Sequence, residues 1–166
     1  MKKGFTLIEL LVVIAIIAIL VAFVSANFLG ARQRAKDVKK KAEFRQMKNA
    51  LRLYYNDYNT YPGPSTTSTN TLHGCGSGTP PNTDCATQCS GVFASGAGCT
   101  EIYMKLLPPA SDYVWSYQQR SAGDDFCLWT TLENTSDPEI EKSHTKCSSV
   151  CPGSVVSSTD YVQCAD

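Results

Sequence analysis

Twenty residues near the N-terminus, Phe5 to Val24, carry a single charge, Glu9, and the last fifteen of them, Leu10 to Val24, are apolar without interruption. As a helix rising ~1.5 Å per residue, such a run spans ~30 Å, about the hydrocarbon thickness of a bilayer. Lipid or protein must cover it, and this limits the fold before any other feature does. Lys2 and Lys3 precede the run. By the positive-inside rule they place the N-terminus in the cytoplasm and everything after residue 27 outside it. Two generic readings are a secretory signal cut near Val24-Ser25-Ala26 and a retained single-pass anchor.

Gly4 followed by Phe5-Thr6-Leu7-Ile8-Glu9 is a more specific pattern. It resembles the processing motif of type IV prepilins and of type II secretion pseudopilins. The resemblance implies that a prepilin peptidase cuts between Gly4 and Phe5 and methylates the new amine of Phe5. A carboxylate inside a membrane helix costs ~2.5–3.5 kcal/mol on insertion scales, so Glu9 needs a partner or a function. After cleavage the Phe5 ammonium lies one turn from Glu9, on the same helix face. The resemblance implies that Glu9 pairs with the N-terminal amine of a neighbouring subunit during filament assembly.

The chain has 166 residues, enough for one small domain and an anchor. Basic and acidic residues balance at 15 each, so no electrostatic case for nucleic-acid binding arises. Eight cysteines, Cys75, Cys85, Cys89, Cys99, Cys127, Cys147, Cys151 and Cys164, all fall in the exported part. An even count in an oxidising compartment implies up to four disulfides, with pairing undetermined. Cys85/Cys89 and Cys147/Cys151 have CxxxC spacing, but no matched His pair accompanies them to complete a zinc site.

Ala31 to Tyr58 contains no Gly or Pro and is rich in helix formers, so one helix is predicted from the apolar run to about Tyr58, bent or loosened near Gly30. Two stripes lie on it about half a turn apart. Ala31, Ala35, Val38 and Ala42 are small; Phe44, Met47, Leu51, Tyr54 and Tyr58 are large. The small stripe is assigned to neighbouring helices and the large one to the chain's own head. Arg32, Arg34, Lys36, Lys39, Lys40 and Lys41 read as a solvated face near lipid headgroups. Asn59 to Pro64 ends the helix. Tyr54 to Pro62, YYNDYNTYP, resembles the end of the first helix in G-type major pseudopilins, in part, because Tyr58 separates Asp57 from Asn59.

Ser65 to Thr100 lacks periodicity and depends on its four cysteines for order. Its Thr66–Thr71 segment has the composition of an O-glycosylated stretch, and Asn134-Thr135-Ser136 fits the N-glycosylation triplet. Thr100 is expected to cap a short helix, Glu101 to Leu107. Residues 112–132 are expected to form a hairpin, with Tyr113, Trp115 and Tyr117 on one face and Phe126, Leu128 and Leu132 facing with them. A third strand is sought at Val155-Val156 or at Tyr161 to Gln163. The division is then a leader (1–4), a membrane or filament-core half-helix (5–29), an amphipathic half (30–58) and a disulfide-rich head (59–166). The expected fold class is α+β and pilin-like, a long N-terminal helix with a small antiparallel sheet.

No catalytic constellation appears: His73 and His144 lack local acid or nucleophile partners. The chain therefore reads as a structural protein and not an enzyme. Asp112, Asp124 and Asp125 are weak candidates for a structural calcium ion, an idea supported by the calcium loop of the G-type pseudopilins. The function expected is a subunit of a type IV pilus or related filament, with a type II secretion pseudopilin as the alternative and a single-pass anchored binding module as the second. The long cysteine-rich insertion favours a surface fibre. Implied partners are further copies, minor pilins, the prepilin peptidase, an assembly ATPase, a platform membrane protein and, before assembly, membrane lipid. The implied location is the cytoplasmic membrane, then a periplasmic or extracellular filament.

Overall fold

The computed structural model describes residues 4–64 and 66–165, with the side chains of residues 23–27 also outside the description. Lys2 and Lys3, on which the orientation argument rests, lie outside the described residues, as do the side chains of Val24-Ser25-Ala26. Helix α1 runs Leu7–Tyr58 and is helical through Gly30. The chain divides into two compact units, Met1–Lys36 and Asp37–Asp166.

The second unit is α+β, with a four-stranded antiparallel sheet in the order β1 (Ser68–Thr69), β6 (Trp115–Arg120), β7 (Asp125–Thr131), β8 (Asp160–Gln163). Two small antiparallel pairs accompany it: β2 (His73–Cys75) with β3 (Thr83–Asp84), and β4 (Phe93–Ser95) with β5 (Glu101–Met104). Helices α2 (Cys85–Gln88) and α3 (Pro138–Lys146) complete the unit.

Alternation along β6 and β7 decides what lies on each face. Trp115, Tyr117, Phe126 and Leu128 point to one side, where Phe44, Met47, Leu51 and Tyr54 of α1 meet them in a shared core. This is the large-residue stripe, packed as its spacing predicted. Cys127 and Trp129 point the other way and pack with Val156, Val162 and Cys164 in a second, smaller cluster. Burying a side chain of this size contributes roughly 1.5–3 kcal/mol, so the first cluster carries most of the head's stability. The small stripe behaves differently: Ala31, Ala35, Val38 and Ala42 are all exposed.

Helix α1 stops because Asn59 turns to φ 51°, the left-handed position favoured after a helix end, while its N–H donates to Tyr55 O at 2.8 Å. The segment leaving the helix then locks onto the β6–β7 hairpin. Tyr61 N–H donates to Gly123 O (2.7 Å), Gln119 Nε2 to Tyr61 O (2.7 Å), and the Tyr117 hydroxyl to Pro62 O (2.6 Å).

One predicted element is overturned. Glu101 to Leu107 contains no helix, because Glu101–Met104 is the strand β5. A seven-residue helix is marginal alone, and Ile102-Tyr103 favour extended backbone. Pairing with β4, whose Phe93 and Ala94 are fully buried, satisfies the backbone instead. The stretch read as an unstructured insertion contains β1 to β4 and α2. The third strand proves to be β8, at the second of the two expected places. Helix α3 was not anticipated, although Asp137-Pro138-Glu139 is an N-terminal signature: Asp137 caps, Pro138 sits in the first turn, and Glu139 complements the dipole.

All eight cysteines pair: Cys75–Cys85, Cys89–Cys99, Cys127–Cys151 and Cys147–Cys164, with Cα–Cα distances of 5.0, 5.9, 5.5 and 5.7 Å. Each CxxxC sends its two cysteines to different partners. Four residues along a helical turn put both sulfurs on one side, from which each reaches a separate segment. Loops of this length contribute about 2.5–3.5 kcal/mol each in the chain-entropy account.

Gly123 has φ +107°, and a Cβ there would collide with Thr60 Oγ1. Gly123→Ala is therefore expected to lower head stability by about 2–3 kcal/mol, read as a lower denaturation midpoint of the oxidised protein in detergent. An unchanged midpoint would show that the segment after α1 and the hairpin do not depend on this close approach.

Candidate processing and assembly site

The described N-terminal residues are laid open. Phe5 is 78% exposed, and the large apolar side chains from Leu7 to Val21 range from 81% down to 47% exposed. Among the described residues, no helix is long and apolar enough to cross a membrane; in the sequence the apolar run continues through residues 23 and 24.

Glu9 has a partner that the sequence reading overlooked. Its Oε2 accepts from the Thr6 N–H at 2.9 Å and from the Thr6 hydroxyl at 2.7 Å, while Glu9 N–H reaches Thr6 Oγ1 at 3.4 Å. This is a capping box, in which a Thr and a Glu three residues later satisfy each other's free backbone donors. The Thr-x-x-Glu spacing was legible. The Thr6 amide would survive a cut between Gly4 and Phe5, so the arrangement does not depend on the leader. One oxygen of the Glu9 carboxylate is thus already hydrogen-bonded within its own chain.

The lysines after the apolar run require a correction. Lys39, Lys40 and Lys41 are not simply a solvated face. Lys39 Nζ lies 2.6 Å from Asp112, Lys40 Nζ donates to Thr131 O at 2.8 Å, and Lys41 Nζ lies 2.7 Å from Asp137 and 3.4 Å from Glu139. Asp37, only 2% exposed, completes this set. Its two oxygens accept from Glu133 N–H (2.8 Å) and Asn134 N–H (2.9 Å), fixing the loop after β7 against α1. Further along α1, Glu43 accepts from the Tyr113 hydroxyl at 2.6 Å. Charge composition alone could not reveal that these side chains turn toward the head. Arg32, Arg34 and Lys36 are exposed.

The pseudopilin-like helix end is also used. Asp57 accepts from the Tyr103 hydroxyl at 2.7 Å, and Tyr54 stacks on Phe93 with ring centroids 5.5 Å apart. The calcium candidates are not brought together. Asp112 pairs with Lys39, while Asp125 accepts from Phe126 N–H and Ala165 N–H at the other end of β6, about 20 Å away by strand rise. Asp124 is exposed beside Asp125. His73 lies in β2 and His144 in α3, in separate parts of the head.

Burial works most strongly against the charged forms of Lys41 and Asp137, but their mutual bond together with Glu139 outweighs it: Lys41 is held above its ordinary value and Asp137 below. A depressed carboxylate adds stability above its unfolded value, ~3.9, and loses it as pH falls through the folded value; a raised lysine loses its contribution as pH rises through its own. Asp137→Asn should therefore lower stability by about 1–2 kcal/mol near neutral pH, since the ion pair to Lys41 is lost while an Asn oxygen can still cap α3. The gap from the unmutated protein should close as pH drops below ~4. Denaturation midpoints at a series of pH values measure it, and a gap constant with pH would rule out the ion pair as its source.

Comparison with known proteins agrees with this geometry. Residues 1–25 match the prokaryotic N-terminal methylation motif. The chain is 51% identical over 59 residues to the type IV wide pilus major component of Thermus thermophilus, covering 36% of this chain and 45% of that protein. It is 41% identical over 61 residues to the type II secretion system core protein G of Vibrio cholerae (37% of this chain, 42% of that protein). It is 38% identical over 61 residues to core protein G of Escherichia coli, with the same shares. The chain thus spans less than half the length of these curated relatives. No solved structure matches it. The chain carries a prokaryotic N-terminal methylation motif on an α+β fold with a long N-terminal helix, and over about a third of its length it is similar to a type IV wide pilus major component and to type II secretion system core protein G.

Proposed function

We propose that this protein is a structural subunit of a type IV pilus or closely related filament. It is made as a precursor, cut between Gly4 and Phe5, methylated on Phe5 and polymerised through its N-terminal helix. The observation that carries this reading is the apolar run, whose described side chains are exposed on every face of the helix in a single copy. Such a surface cannot face water, so lipid covers it first and other copies cover it later. Leu10 to Val24, with the residues before it, is long enough for the first role. Glu9, already tied to Thr6 by one oxygen, keeps its other oxygen for the amine of a neighbouring copy. The exposed small stripe from Ala31 to Ala42 continues the packing surface beyond the lipid, since small side chains let helices approach closely.

The partners follow from that role: a prepilin peptidase, an assembly ATPase and a platform membrane protein, with further copies and minor subunits in the fibre. The location is the cytoplasmic membrane and then the filament. The role is structural, not catalytic. A secretion pseudopilus is the second reading, favoured by the similarity to core protein G and by the Tyr54–Pro62 segment at the end of α1. The doubly stapled insertion favours a surface fibre, where covalent closure protects an exposed lobe.

Mass spectrometry of the mature N-terminus tests the proposal. N-methyl-phenylalanine at residue 5 is expected, and an intact Met1-Lys2-Lys3 terminus would overturn it in favour of a plain anchored module. Glu9→Ala is expected to insert and be processed but to yield no filaments by electron microscopy; normal filaments would remove Glu9 from assembly.

A further inference from the structure

Helix α3 borders an open groove of about 560 Å3 that has no part in the filament reading. Glu141 and His144 both line it, three residues apart and so neighbours on one helix face. His144 Nε2 lies 2.8 Å from the backbone oxygen of Asp160. A carbonyl can only accept, so Nε2 carries the hydrogen. In the neutral ring Nδ1 is then a bare acceptor, and among the described residues it has no partner. This is the second-shell arrangement characteristic of metal-binding imidazoles: one nitrogen donates to a fixed carbonyl, the tautomer is set, and the other nitrogen is free to ligate.

The fixed carbonyl is itself well held. Asp160 begins β8, and its carboxylate accepts from the Thr131 hydroxyl and from Ser157 N–H, each at 2.8 Å. The disulfide Cys147–Cys164 ties the end of α3 to the residue after β8. Of the other acidic groups on the groove, Asp137 is engaged by Lys41 and by Glu139 N–H. The Glu141 carboxylate is exposed.

We infer that this groove binds a divalent transition-metal ion through His144 Nδ1 and the Glu141 carboxylate, with water in the remaining positions. Imidazole with carboxylate suits Cu2+ or Zn2+, whereas Ca2+ and Mg2+ take oxygen ligands throughout. Among the described residues no group of three or more His, Cys, Asp or Glu side chains could hold a metal; the proposed site therefore relies on two protein ligands and water.

Cu2+ titration of the full-length oxidised chain in detergent, read by electron paramagnetic resonance and calorimetry, tests it. One Cu2+ per chain with coupling to a single imidazole nitrogen is expected, unchanged in His73→Ala. Glu141→Gln and His144→Gln should each weaken binding by at least about 10-fold, the lower end of what outer-shell changes alone cost. A signal that disappears with His73, or an affinity unaltered in Glu141→Gln, would overturn the site. Should His144→Gln unfold, Glu141→Gln decides alone, because that exposed side chain has no structural bond to lose.

Discussion

The head depends on one column of side chains, Phe44, Met47, Leu51 and Tyr54, supplied by the lower part of α1. Without that column the four-stranded sheet would have one bare apolar face, and neither β6 nor β7 could bury its aromatic residues. The column also fixes rotation, since a helix can present these four residues to the sheet at only one angle. Asp37, Lys39, Lys40, Lys41 and Glu43 then set position along the axis by bonding the loops at one end of the sheet. The buried members, Asp37 and Lys40, carry specificity more than net stability, because an unmade bond there costs more than a made one contributes.

A single helix therefore answers to two environments, and its sequence changes character accordingly. Over Leu7 to Val21 it is apolar but for Glu9, and its large apolar side chains are exposed. From Asp37 onward it is amphipathic, with its own sheet on one face and small residues on the other. The capping box at Thr6 and Glu9 and the left-handed Asn59 close its two ends by local chemistry that needs no neighbour.

Much of this was legible in the residues. The helix, its end, the large stripe and the β6–β7 hairpin rest on periodicity and breakers, which are local signals. The site at Gly4, Phe5 and Glu9 was visible as a motif, although the bond from Thr6 to Glu9 was overlooked. What was missed depends on partners distant in sequence. Glu101–Met104 follows β4, and charge alone could not show that Lys39, Lys40 and Lys41 turn toward Asp112, Thr131 and Asp137. In residues 65 to 100, strands of two or three residues are too short to leave a periodic trace. Helix α3 is the exception, since its cap signature was local and plain.

The crosslinks determine how the protein bears tension. None of them reaches α1, and none joins the insertion to the sheet. Traction between the helix and the outer surface is therefore resisted by the aromatic column and the lysine bonds, which slip and re-form. Once those yield, the head cannot pay out its full contour. Two ten-residue separations are closed within the insertion, and the interleaved Cys127–Cys151 and Cys147–Cys164 bridges keep β7, the end of α3 and β8 as one knot. The head is thus built to part first at the seam between helix and sheet, while the lobes closed by disulfides keep their shape.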